Sequence, residues 1–200
     1  MISMTKLLLF LFPLFLFSCS SSKNEINEVD FREVAKGFIN AFNQKDISGI
    51  QGYIDPEIGF FVLDNPGAAV IPEYFNNYDQ IVMLDDGYGV ARLNQMDFSC
   101  NILKPGRVPV FSCEMGTWDV EGCFYGKSGT PKIEEIYNLN LEYEFIDKMS
   151  YESSINNAIK IDRLITHFIY STDSTSGFYF GIINGKWRLL CIDIVAPCSA

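Results

Sequence analysis

Histidine is almost missing: His167 is the only one in 200 residues, so a single imidazole is available to move protons near neutral pH. Basic residues are also scarce, 15 Lys and Arg against 25 Asp and Glu, for a net charge of -10. No basic cluster or stripe is present that would neutralise phosphates, which excludes nucleic acid as a partner class. No C-x-x-C, H-E-x-x-H, G-x-S-x-G or nucleotide-binding loop occurs, so no metal or cofactor is expected. Glu114, Asp119 and Glu121 gather near Trp118, but their spacing matches no calcium loop and reads as solvated surface. Nor does any apolar run reach the length of a membrane span.

What the chain does have is apolar mass, 48% of residues, with 14% aromatic, enough for one packed domain. Two runs of aromatic and β-branched residues flank Asn184-Gly185 near the C-terminus, predicting a two-residue hairpin over residues 177–195. Counting outward from that turn places Phe178, Phe180, Ile182, Trp187, Leu189, Cys191, Asp193 and Val195 on one face. Tyr179, Gly181, Ile183, Lys186, Arg188, Leu190, Ile192 and Ile194 fall on the other. Asp193 is then the one charge on an otherwise apolar face.

The N-terminus carries Lys6 and then the apolar run Leu7–Phe17. As a helix that run is about 16 Å long, against roughly 30 Å of bilayer hydrocarbon, so it reads as a signal-peptide core. It ends in Leu16-Phe17-Ser18-Cys19, followed by the polar Ser20-Ser21-Ser22-Lys23-Asn24. This segment resembles the bacterial lipoprotein signal, the lipobox. The resemblance implies a leader at residues 1–18, a lipidated Cys19, a flexible tether over 19–28 and a membrane partner reached through the lipid. The expected location is the bacterial cell envelope, at the outer membrane and facing the periplasm or the surface. Two acyl chains at about 0.8 kcal/mol per buried methylene give stable anchoring. In an exported chain disulfides are permitted, and Cys113–Cys123, closing a short loop around Trp118, is the first candidate bridge, though spacing leaves other pairings open. Cys191 reads as a small buried hydrophobe.

Along residues 29–200 the pattern predicts one α+β domain. Helical period covers Asn27–Lys45, with Asp30 and Glu33 spaced as a capping box, and a short helix follows Asp46 and stops at Asp55-Pro56. Ile58–Leu63 reads as a strand and Val70–Leu84 as a helix ended by Asp85-Asp86-Gly87. The middle, residues 85–150, is irregular, and Ile133–Phe145 fits helix and strand equally. Ser153–Asp162 reads as a helix and Arg163–Tyr170 as a strand leading into the hairpin.

Two stretches carry a wider resemblance: Phe38-Ile39-Asn40-Ala41-Phe42-Asn43-Gln44-Lys45-Asp46 with Tyr53-Ile54-Asp55-Pro56-Glu57, and Asn184-Gly185-Lys186-Trp187 with Ile192-Asp193. Together they resemble the nuclear transport factor 2-like superfamily, in the branch of bacterial lipoproteins with this ending. The likeness implies a cone: a strongly curved antiparallel sheet packed on N-terminal helices, with a pocket at the wide end. Such a cone would host a small ligand or an envelope protein without catalysis. Isomerases, dehydratases and hydrolases of this shape place an acid or base inside, which would make His167 and Asp193 a catalytic pair. Phe61, Trp118, Tyr179 and Trp187 are the aromatic candidates for lining a pocket.

Overall fold

Two helices open the described chain, α1 (Glu28–Asn43) and α2 (Ile47–Gln51). The computed structural model describes residues 28–84, 89–127 and 131–198; the leader, Cys19, the tether up to residue 27 and the stop signal at 85–87 lie outside them. Phe31, Ala35, Phe38, Ala41 and Phe42 recur at helical spacing on α1 and are all buried. The helix begins at Glu28, so Asp30 lies inside its first turn and not at the expected cap. Asp46 does cap α2, its carboxylate accepting the Gly49 amide at 3.0 Å.

Strand β1 (Phe60–Asp64) is buried along its whole length. Residues 70–84 depart from the expected helix: they form β2 (Ile71–Phe75), antiparallel to β1, and then the single turn α3 (Asp79–Val82). The apolar spacing there fits both periods, and pairing decides. Phe60 meets Phe75 and Phe61 meets Tyr74 across the strands, with ring centroids 5.8 and 5.3 Å apart. Pro72 is tolerated because β2 is an edge strand.

The middle region is made of short pieces: a 3-10 turn (Gly89–Asn94), β3 (Leu103–Pro105), β4 (Phe111–Ser112), β5 (Thr117–Trp118) and β6 (Cys123–Lys127). Two disulfides hold it, Cys100–Cys123 and Cys113–Cys198. The expected Cys113–Cys123 bridge is therefore replaced. Cys123 lies on β6 within the main sheet beside the Cys100 loop, whereas Cys113, in the β4–β5 turn, reaches the C-terminal tail, with Cα atoms 5.6 Å apart. Ile133–Glu142 resolves as helix α4, and α5 (Lys148–Leu164) starts at Asp147, whose carboxylate accepts the Met149 and Ser150 amides.

The chain ends in β7 (His167–Ser171), β8 (Ser176–Ile183) and β9 (Lys186–Asp193). Asn184 and Gly185 adopt φ of 53° and 73°, the two positive values that the hairpin requires. The main sheet runs β2-β1-β9-β8-β7-β6-β3, with β1–β9 and β3–β6 parallel and the other pairs antiparallel. It is thus mixed, where an antiparallel sheet was expected, and neither closed nor strongly curled. Helices cover both faces. Phe31, Phe38 and Phe42 of α1 pack with Phe178, Phe180 and Leu189, while Ile133 and Tyr137 of α4 and Ala158 and Ile161 of α5 pack with Phe168, Tyr179 and Leu190.

One detail of the hairpin rearranges the site. Ile183 faces Lys186, Ile182 faces Trp187 and Phe180 faces Leu189, as counting predicts, but Tyr179 then faces Cys191 and Phe178 faces Ile192. Leu190 is the extra residue of a β-bulge, and one extra residue exchanges the faces of everything beyond it. Cys191 and Asp193 consequently turn to the α4–α5 side.

Candidate functional site

His167 and Asp193 lie on opposite faces of the sheet. His167 is buried on the α1 side, its ring 4.7 Å from those of Phe31 and Trp187, with Nδ1 2.9 Å from the Thr166 hydroxyl. Asp193 is half-buried on the other side, near Tyr170, Tyr179 and Cys191, and its Oδ1 accepts the Val195 amide at 3.0 Å. Burial pushes its carboxyl up to about 6, against the opposing pull of that backbone bond. Burial likewise raises the Tyr179 hydroxyl and the Cys191 thiol, and the Asp193 charge adds to both. The sheet separates the imidazole from this carboxyl, so the two do not converge on one substrate as an acid–base pair must.

The aromatic candidates divide in the same way. Phe61 is wholly buried against Tyr74 and Tyr137, Tyr179 is buried in the same cluster with Cys191 of β9 between the two, and Trp118 of the β4–β5 ribbon lays its edge on Tyr170 at 5.6 Å. Trp187 is on the α1 side, against Phe31 at 4.7 Å. Three of the four share a face, and all four act as packing. None of them lines the grooves described next.

One hollow is on the α4–α5 side, where the end of α5 passes the tip of the β8–β9 hairpin. It encloses about 680 Å³ and is lined by Ile58, Asn156, Ile159, Lys160, Arg163, Leu164, Ile182, Ile183 and Asn184. Close approach builds it. The Thr166 amide donates to the Phe180 carbonyl at 2.9 Å, and a Cβ at position 181 would collide with the Leu164 carbonyl oxygen, so Gly181 is what lets α5 end here. Lys160 and Arg163, one turn apart on α5, are both exposed. Neither side chain forms an ion pair or hydrogen bond with another described residue. Their position near the helix C-terminus suits the helix dipole.

A second hollow of about 530 Å³ adjoins the first across Ile159 and Arg163 and contains Lys132, Glu134, Glu135, Asn138 and Asp162. Two of its three acids are engaged: Asp162 accepts the Ile133 and Glu134 amides at 3.2 and 2.9 Å and so starts α4, and Glu135 pairs with Lys132 at 2.8 Å, while the Glu134 carboxylate is exposed. Among the described residues, no group of three or more His, Cys, Asp or Glu is placed to hold a metal ion, and no helix is long and apolar enough to cross a membrane.

Sequence reasoning passed over this groove. Its walls come from residue 58, from α5 and from the hairpin tip, and only the tertiary fold joins them. The available signal was the i, i+3 pair Lys160 and Arg163 beside apolar Ile159 and Leu164 in an otherwise acidic chain.

No protein-family model matches the chain, and neither a curated protein nor a solved structure does.

Proposed function

We propose that the chain is a lipid-anchored protein of the bacterial cell envelope whose domain binds a small ligand without catalysing a reaction. The observation that carries the binding half is the open groove between α5 and the hairpin tip, which is of small-molecule size and combines an apolar floor with exposed cations. The rival reading, an isomerase, dehydratase or hydrolase using His167 and Asp193, is weakened by their places on opposite faces of the sheet.

The two disulfides support the envelope half, since such bridges persist in oxidising compartments. With four cysteines bridged and Cys191 sealed in the core, Cys19 is the cysteine left over, and it stands in lipobox-like sequence. Kinship with the nuclear transport factor 2-like superfamily, and with it a conical curvature of the sheet, belongs to this proposal. Its support is the order of α1, the Asp46-capped α2 and β1, together with the closing hairpin. Helices on both faces are a departure from that pattern.

The envelope half is tested by metabolic palmitate labelling in the producing bacterium. Label and membrane association lost in Cys19→Ala support it, and full label in that variant refutes it. For the binding half, a lipid extract of the envelope is expected to raise the Tm of the wild type saturably, while the groove variant Ile183→Asp shows no rise.

An envelope protein as the partner is favoured by one separate feature. Val70, Ile136, Leu139, Tyr143 and Phe145 form an apolar cleft beside the β2 edge, with Leu139, Tyr143 and Phe145 respectively 44%, 64% and 54% exposed. If that cleft is the working surface, Tyr143→Asp abolishes partner capture and leaves ligand-induced stabilisation unchanged.

A further inference from the structure

Within the groove, charge and apolar surface are sorted. Lys160 and Arg163 project from consecutive turns of α5, while Ile159 and Leu164 of the same helix and Ile182 and Ile183 of the hairpin supply apolar wall. The chain has ten more acidic than basic charges, yet these two cations have no acidic partner among the described residues. Of the nearby acids, Asp162 caps α4 and Glu135 pairs with Lys132, while Glu134 is exposed in the second hollow and pairs with neither cation. A guanidinium and an ammonium one helical turn apart match the oxygens of a carboxylate or phosphate, with the guanidinium able to engage two of them at once. The apolar wall beside them matches an alkyl chain.

We infer that this groove binds a single-chain anionic amphiphile, its carboxylate or phosphate head at Lys160 and Arg163 and its acyl chain along Ile159, Leu164, Ile182 and Ile183. The inference rests on the binding function proposed above and names its ligand class. Charge complementarity selects the anion, because a neutral apolar ligand leaves the cation pair unused. The volume of about 680 Å³ suits one chain with a small head group. Beyond Arg163 the carboxylates of the second hollow repel an anion, so the head is held on the Lys160 side. A protein tethered at a membrane surface would meet such molecules as fatty acids or as lysophospholipids. The shared chemistry is an anionic head on an acyl chain.

The test uses the full chain, acylated and held in phosphatidylcholine bicelles, with a diazirine-bearing dodecanoate as photoprobe and mass spectrometry to locate adducts. Saturable adducts on residues 156–164 and 182–184 are expected, reduced at least tenfold in the double variant Lys160→Ala/Arg163→Ala. The exchange Lys160→Arg/Arg163→Lys keeps them, as does the control Lys104→Ala/Lys148→Ala. Ile183→Asp, which blocks the chain seat and spares the cations, is expected to lose them as well. Displacement by unlabelled dodecanoate assigns a free carboxylate, and displacement by lysophosphatidate alone assigns a membrane-derived phosphate; both support the proposal.

Displacement by dodecanol as effective as by dodecanoate overturns it, as does equal displacement by an acidic peptide, which would give the groove to a polypeptide. Full labelling of the double variant overturns it too. Saturable adducts confined to another part of the molecule overturn this assignment and leave the binding function standing. No saturable adduct anywhere overturns both.

Discussion

The two faces of the sheet are built from different chemistry. On the α1 side, Phe31, Phe38, Phe42, Phe98, Phe178 and Phe180 interlock, with Phe178 within 5.0 Å of three other rings. On the α4–α5 side the core includes Tyr137, Tyr170, Tyr179 and Cys191, takes in the Asp193 carboxyl, and ends at an open groove. Packing dominated by phenylalanine makes the first face the stable floor of the domain. The second carries polar groups that cost stability, and it is where the groove opens.

The largest loss of stability is expected from the floor. Phe178→Ala opens a cavity among Phe38, Phe42 and Phe98 and is expected to cost about 3–5 kcal/mol in urea unfolding. A loss below about 1 kcal/mol would mean that the face is not tightly packed.

Next in size is the covalent link that fixes the β4–β5 ribbon, and with it Trp118, over the second face. Cys113–Cys198 closes a sequence separation of 85 residues, so Cys113→Ser/Cys198→Ser is expected to lose about 2–4 kcal/mol and to make Trp118 fluorescence more solvent-exposed. Unchanged stability and emission would show the ribbon to be held by packing alone.

The smallest effect has the opposite sign and depends on pH. The Asp193 carboxyl, raised to about 6 in the folded protein from an ordinary 3.8, favours folding in its protonated form. Its contribution is complete below about pH 4, declines as pH rises through 6, and is absent above. Asp193→Asn is therefore expected to stabilise the protein by about 1–2 kcal/mol at pH 7.5, a figure discounted from two pK units because the group is partly exposed, with no difference near pH 4. Denaturation at both pH values measures it. A variant destabilised at pH 7.5 would mean that the carboxylate is needed in its charged form.

Much of the fold was legible because it is locally encoded. Asn184-Gly185 announces its turn, Asp46 its helix, and the Phe31–Phe42 spacing its buried stripe. The hairpin β1–β2 was hidden because Tyr74, Phe75 and their neighbours satisfy a helical period too, and only the partner strand decides between them. The bulge at Leu190 was hidden for a different reason: no glycine or proline marks it, so parity counting carried Cys191 and Asp193 onto the wrong face. That single residue is why the His167–Asp193 pair looked plausible in sequence and is divided in the structure. The groove was illegible because its walls are distant in sequence, and the true disulfide partners, Cys100 and Cys198, were invisible to spacing.

The most direct test of the contrast between a sealed and an open face is methyl NMR of the full chain in phosphatidylcholine bicelles during titration with dodecanoate. The account predicts saturable shifts confined to the methyls of Ile58, Ile159, Leu164, Ile182 and Ile183, with those of Ile169 and Leu189 on the α1 side unmoved. Saturable shifts centred on Ile169 and Leu189 would contradict it, since the ligand would then occupy the space that the phenylalanines are held to fill.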